Sequence, residues 1–230
     1  METGLPGSIR ACLFDLDGVL TQTATAHEAA WKATFDAYLA ERAGRSGGSW
    51  RPFEDEDYRQ FVDGRIRADG VRTFLGSRGI TLPDGEPDDP PTAETVNGIG
   101  NRKNEAFLGA IERDGVETFS DGVELLRRAH DAGLRCAVVS ASANAVPVLE
   151  TTGLRSMVDA VIDGMVAAER GLSGKPAPDT FVAGADALGV PVTAAAVFED
   201  AVSGVEAGRA GGFGFVVGVD RVGEGHADEL

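Results

Sequence analysis

Five short apolar runs punctuate this chain, and helical patterns lie between them. The first covers Ala11 to Phe14 and is extended by Leu16. The others are "LRCAVVS" (134–140), "MVDAVID" (157–163), "AAAVFED" (194–200) and "FGFVVGVD" (213–220), each rich in β-branched residues and bounded by turn formers. Helical patterns occupy 121–133, 144–153, 177–189 and 201–211. Strands that alternate with helices of this length predict βαβ units, hence an α/β fold with a doubly wound, parallel, Rossmann-like sheet.

The segment 22–115 breaks that rhythm. It reads as helices at 25–43, 54–62, 69–78 and 101–114, with loops at 44–50 and 79–92 and no core strand. The expected organisation is therefore a discontinuous α/β core, 1–21 and 116–230, with an inserted helical domain at 22–115. The acidic, proline-rich stretch 83–91 reads as a solvated loop. The chain stops at "GHADEL", which reads as the start of a helix, so a further strand beyond Leu230 is an expectation.

Length and charge bound the function. A chain of 230 residues with 43% hydrophobic residues can bury a sizeable core. Its 21 basic and 37 acidic residues give a formal charge of −16, which repels nucleic acid and anionic membranes and predicts neither as a partner. Cys12 and Cys136 lie in strand-like runs and read as buried thiols in a reducing compartment rather than a disulfide. The N-terminus lacks the apolar stretch of a signal peptide, and there is no run of about 18 apolar residues. The expectation is a cytoplasmic monomer.

The chemistry gathers at the strand ends. Asp15 and Asp17 close the first run, and residues i and i+2 of an extended chain share a face. Two carboxylates so close repel each other unless a cation lies between them or one keeps its proton. Magnesium suits them, as a hard ion held by carboxylates and phosphate oxygens. Gly18 allows the turn that follows. Ser140 ends the second run, Lys175 sits in a loop stiffened by Pro176 and Pro178, and Glu199 and Asp200 end the fourth. Singly, each has an ordinary explanation: a solvated turn, a helix cap, a surface lysine. Jointly they bring a nucleophile, a metal cage, a hydroxyl donor and a fixed cation to one edge of a sheet, where open α/β folds bind ligands.

With "DLDGVLT", the serine of "VVSAS", the lysine of "GKPAPD" and "EDAVSG" in this order, the chain resembles the haloacid dehalogenase-like (HAD) phosphotransferases over essentially its whole length. The resemblance implies that Asp15 attacks phosphorus to give an aspartyl phosphate and that Asp17 serves as general acid, then base. It further implies Mg²⁺ bound by the Asp15 carboxylate, the Asp17 backbone carbonyl and Asp200, with Glu199 directly or through water, and a phosphoryl group neutralised by Ser140 and Lys175. The insertion looks like the family's mobile C1-type cap.

Within that family the insertion is similar to the cap of the β-phosphoglucomutases. "TQTATAHEAAW" places Thr23, His27 and Trp31 at matching positions, with His27 implied to poise Asp17 and the substrate hydroxyl and Trp31 read as cap core. "DGRIR" matches the Gly-x-x-Arg substrate loop through Gly64 and Arg67, "RKN" a substrate lysine through Lys103, and "SASAN" the phosphate-gripping run through Ser142 and Asn144. One departure stands out. Ala143 replaces a basic residue usual between Ser142 and Asn144. The resemblance implies a small phosphorylated sugar as substrate and conversion of β-glucose 1-phosphate to glucose 6-phosphate. A HAD-type phosphatase using the same four motifs is the alternative, and a non-catalytic sugar-phosphate sensor is a third.

Overall fold

The computed structural model of the chain describes residues 4–221, 223, 225–228 and 230. Strand β1 (Ala11–Phe14) is followed by four helices, α1 (Ala24–Ser46), α2 (Asp55–Phe61), α3 (Arg67–Ser77) and α4 (Val96–Asp114). Then come α5 (Ser120–Asp131), β2 (Arg135–Val139), α6 (Ala145–Thr151), β3 (Ala160–Ile162) and α7 (Gly164–Arg170). The chain continues with α8 (Asp179–Leu188), β4 (Ala195–Glu199), α9 (Val202–Ala210) and β5 (Phe215–Gly218). Two compact units result: Met1–Gln22 with Gly64–Ile66 and Val116–Leu230, and Thr23–Asp63 with Arg67–Gly115.

The first unit is a five-stranded sheet in the order β3-β2-β1-β4-β5, parallel throughout. All four residues of β1 are buried, as its uninterrupted apolar run requires of a strand covered on both faces: β2 and β4 take its two edges, and α8 packs against it. The chain winds outward from β1 to β3, then returns to place β4 against the other edge of β1 and continues to β5. The strand order reverses at β1/β4, which is where a doubly wound sheet opens a crevice at its carboxyl edge. Leu13, Val139, Ile162, Phe181 and Val197 pack into one buried cluster.

The second unit is helical with its own aromatic core. Trp31, Phe35, Tyr38, Phe53 and Phe74 are nearly inaccessible and cluster together, with the Trp31 and Phe35 rings stacked at 4.9 Å. Each such side chain contributes about 1.5–3 kcal/mol on burial. Trp31 is thus core.

Several elements differ from the sequence reading. Helix α4 starts at Val96, five residues before the expected 101, because Thr95 caps it by accepting from the Gly98 amide at 2.9 Å. Gly98 is a packing glycine: an added Cβ would lie 2.5 Å from the Ala93 carbonyl oxygen. Strand β3 is three residues rather than seven, since Leu154–Met157 forms a 3₁₀ turn. Helix α7 was not expected; Asp163 caps it by accepting from the amides of Met165 and Val166. At the C-terminus, His226–Asp228 forms a 3₁₀ turn where a helix start was expected, and Glu229 lies outside the described residues. Among the described residues no helix is long and apolar enough to cross a membrane.

Cys12 and Cys136 are register partners on β1 and β2, fully buried and free. Burial pushes both thiols up to about 12, and the neighbouring Cys136 adds to the shift at Cys12. Two consequences are expected. The native protein resists alkylation at pH 8 and takes two labels per chain after unfolding, read by intact mass. In the folded state the thiols hold their protons while those of the unfolded chain ionise from about 9.0, so their contribution to stability is intact below 9.0 and is lost as the pH rises toward 12.

Candidate active site

Asp15 is the first residue past β1 and continues its pairing, donating its amide to the Phe198 carbonyl at 2.9 Å. That bond sets it beside the end of β4. The next turn is closed by Gly18 N to Thr21 O at 2.8 Å and by the Thr21 hydroxyl to Leu16 O at 3.1 Å. Gly18 has φ +95°, and an added Cβ would lie 1.7 Å from Asp200 Oδ2. Glycine is thus required twice, for the left-handed backbone and for the close approach of the Asp200 carboxylate.

Lys175 reaches this corner from the loop before α8. Its Nζ donates to Asp15 Oδ1 and to Glu199 Oε1, both at 2.5 Å, and lies 3.5 Å from Val139 O. The ammonium is 3% exposed and stands over the Phe181 ring at 5.0 Å. Burial works against its charge, but Asp15 and Glu199 outweigh that and push the Lys175 ammonium above its ordinary value. At Asp15 the balance is the reverse. Burial raises the carboxyl well above the usual carboxylate range, Lys175 opposes this, and the carboxylates of Glu199 and Asp17 add to it.

Glu199 is fully engaged. Besides Lys175 on Oε1, its Oε2 accepts the amides of Asp200 at 2.7 Å and Ala201 at 2.9 Å. Helix α9 makes room for it through Gly204, whose added Cβ would fall 1.8 Å from Glu199 Oε1. Carboxylate oxygens of Asp15, Glu199 and Asp200 all lie within 4.8 Å of one another. Lys175 is shared by Asp15 and Glu199, and Asp200 adds a third carboxylate to the group, so a divalent cation fits the donor set and the charge balance. The Asp17 carboxylate is not in that group. Its Oδ2 accepts the Ser140 hydroxyl at 3.2 Å.

The end of β2 is a chained polar turn. Ser140 Oγ accepts the Ser142 amide at 3.0 Å, and Ser142 Oγ accepts the Asn144 amide at 3.2 Å, leading into α6. Gly64 groups with this unit, at φ +68°, with Ser203 Oγ 2.4 Å from where its Cβ would stand.

The remaining expected residues belong to the helical unit. His27 and Lys103, 76 positions apart, are buried and in contact through Nδ1 and Nζ. The His27 ring stacks on Phe107 at 3.9 Å, and the Lys103 ammonium lies 4.8 Å from the Phe107 ring and 5.2 Å from Trp31. Thr23, 2% exposed, accepts the His27 amide on its carbonyl at 2.8 Å, one turn into α1. Arg67 opens α3 with its stem against Gly100, 3.3 Å from where a Cβ would stand. Burial lowers its guanidinium below the ordinary value, and Nη1 is buried with no hydrogen-bond partner among the described residues.

Two contributors escaped the sequence reading. Gly204 sits inside "EDAVSG", where a glycine in a helical pattern signals close approach. Arg221 hydrogen-bonds to the Gly18 and Val19 carbonyls from 203 and 202 positions away, and no local pattern announces it.

Residues 9–212 match the family model described as haloacid dehalogenase-like hydrolase. The chain is 56% identical over 221 residues to a protein named β-phosphoglucomutase in Mycobacterium tuberculosis, covering 96% of this chain and 84% of that one. The β-phosphoglucomutase named in Bacillus subtilis is 28% identical, covering 93% and 84%. Among solved structures, CbbY of Rhodobacter sphaeroides in complex with xylulose-(1,5)bisphosphate is 25% identical, with TM-score 0.68 over 94% of this chain and 90% of that one. A β-phosphoglucomutase of Clostridium difficile shares the fold, at 24% identity and TM-score 0.73 over 93% and 85%.

Proposed function

The chain belongs to the haloacid dehalogenase-like hydrolases, as an enzyme of their β-phosphoglucomutase-like branch, and from that premise we propose that it moves a phosphoryl group between Asp15 and a small phosphosugar. One observation carries the reading: the Asp15 carboxylate stands at the strand-order reversal, held at 2.5 Å by a buried lysine and grouped with Asp200 and Glu199. A buried nucleophile, a fixed cation and an acidic cage are what phosphoryl transfer asks of a protein, because the reaction depends on positioning and charge stabilisation.

In this reading Asp15 attacks phosphorus, and the leaving oxygen takes its proton from Asp17. Lys175 and the Ser140 hydroxyl neutralise and orient the phosphoryl oxygens. Asp17 is suited to proton transfer, since its carboxylate stands apart from the acidic group and contacts a hydroxyl. Asp15, Asp200 and the Asp17 carbonyl would hold Mg²⁺, and Glu199, whose oxygens already serve Lys175 and two amides, would act through water. Bound there, the ion would offset charge on the transferring group. The helical unit is proposed as a C1-type cap. Its Arg67, a buried planar fork with Nη1 unpaired, is suited to a second, non-reacting phosphate. Thr23, His27, Gly64, Lys103, Ser142 and Asn144 are proposed to contact the sugar phosphate. The bisphosphate in the CbbY complex is in keeping with a two-phosphate ligand.

The favoured reaction converts β-glucose 1-phosphate to glucose 6-phosphate through a bisphosphate. One observation favours water as acceptor instead: Ala143 brings no cation to the run between Ser142 and Asn144. Incubation of β-glucose 1-phosphate with Mg²⁺ and a trace of the 1,6-bisphosphate, followed by ³¹P NMR, separates the two. The mutase reading expects glucose 6-phosphate as the main product; dominant inorganic phosphate would establish the phosphatase.

A further inference from the structure

Arg221 follows β5 and turns back to the loop behind the nucleophile. Its Nε donates to the Gly18 carbonyl at 2.8 Å and its Nη2 to the Val19 carbonyl at 3.2 Å. Asp121 holds the outer edge of the same guanidinium, Nη1 to Oδ2 at 2.8 Å and Nη2 to Oδ1 at 3.1 Å. The guanidinium carbon lies 3.8 Å from the centroid of Phe119. The first turn of α5 is pressed into place beside it: the Phe119 amide donates to Leu20 O at 3.0 Å, and a Cβ on Gly122 would fall 2.1 Å from Val19 O. A planar fork can hold two successive carbonyls and a carboxylate at once, which a single ammonium cannot do with the same geometry.

The turn so gripped is the one that matters for the chemistry. Gly18 has Arg221 on its carbonyl and the Asp200 carboxylate against its Cα, and it directly follows Asp17. A shift of this peptide would move the Asp17 backbone and the space left for Asp200 together.

We propose that Arg221 is a positioning residue for phosphoryl transfer, a clamp that fixes the Gly18–Val19 turn and through it the placement of Asp17 and Asp200. The proposal rests on the roles given to those two residues above. It acts on the transition state more than on substrate capture, since the Arg221 guanidinium contacts Gly18, Val19, Asp121 and Phe119 and none of the residues proposed to grip the phosphosugar. Displacements of about 1 Å at reacting groups cost up to roughly 100-fold in rate.

The test compares Arg221→Gln, Arg221→Lys and Asp121→Asn with the unaltered full chain in three measurements. Arg221→Gln is expected to lower kcat about tenfold or more with KM for the phosphosugar within about twofold, Arg221→Lys to recover part of the loss, and Asp121→Asn to show a smaller loss. Amide hydrogen exchange is expected to accelerate at Gly18–Thr21 and not in β2 or β4. Calorimetric titration with Mg²⁺ is expected to show weaker binding in Arg221→Gln. Unchanged kcat with unchanged exchange in the turn overturns the proposal, as does acceleration spread evenly over the sheet, which would make the residue merely structural. Should Arg221→Gln fail to fold, Asp121→Asn decides by the same criteria. If the unaltered chain turns over no phosphosugar, the functional reading fails, while the exchange and Mg²⁺ measurements still decide the clamp.

Discussion

Asp15→Asn is expected to lower phosphoryl transfer by about 10⁵-fold or more while leaving a folded protein, because removal of a nucleophile costs on that order when no other group can form the covalent intermediate. The amide keeps the size of the carboxylate and one oxygen toward Lys175, so the β1–β4 corner stays filled. It also keeps Glu199 as the lysine's counter-charge at 2.5 Å. Activity and stability should therefore separate: steady-state turnover collapses, and the urea midpoint shifts little. A residual rate within tenfold of the unaltered enzyme would mean that Asp15 serves only as a cation ligand.

Lys175→Met should show the opposite pattern in stability. The methionine reproduces the lysine stem as far as Cε but lacks the ammonium, and it leaves the Asp15 and Glu199 carboxylates facing each other, buried, without their shared cation. Breaking a buried ion pair by removing one partner costs about 3–5 kcal/mol. That is a large part of the stability of a domain this size. Equilibrium urea unfolding without Mg²⁺ measures it, and turnover should fall as well, since the phosphoryl oxygens lose their fixed positive partner. A loss under about 1 kcal/mol would show that the ammonium is not the group holding the two acids together.

The contrast between these two variants reflects what the sequence made legible. Asp15, Ser140, Lys175, Glu199 and Asp200 could be read because strand ends converge on one edge of a parallel sheet, and the observed order brings β2, β1 and β4 side by side. How Glu199 and Asp200 divide their contacts could not be read from sequence. Glu199 and Asp200 are neighbours in the chain, yet one is tied to Lys175 and two amides and the other lies against Gly18. The sharing of Lys175 between two carboxylates is a property of the fold alone.

The misread elements have physical causes. The expected start of α4 at 101 left out Gly98 and Gly100, which are there for close packing against Ala93 and Arg67, and the helix runs through them. Strand β3 looked longer because the apolar residues Met157 and Val158 precede it, although Met157 belongs to a 3₁₀ turn and Val158 follows it. The seven residues of α7 are too few to show a clear period, and their stability comes from the Asp163 cap. His27 and Lys103 were each legible as positions, but their contact over the Phe107 ring was not, since it joins α1 to α4.

The central claim is that Asp15 carries the phosphoryl group between donor and acceptor. Rapid-quench reaction of the enzyme with ³²P-labelled glucose 1,6-bisphosphate and Mg²⁺, followed by acid proteolysis and peptide mapping, tests it directly. The expected result is transient label on the peptide containing Asp15 that appears and decays at rates compatible with turnover and is absent in Asp15→Asn. Turnover without label on that peptide, or label on another residue, would contradict it.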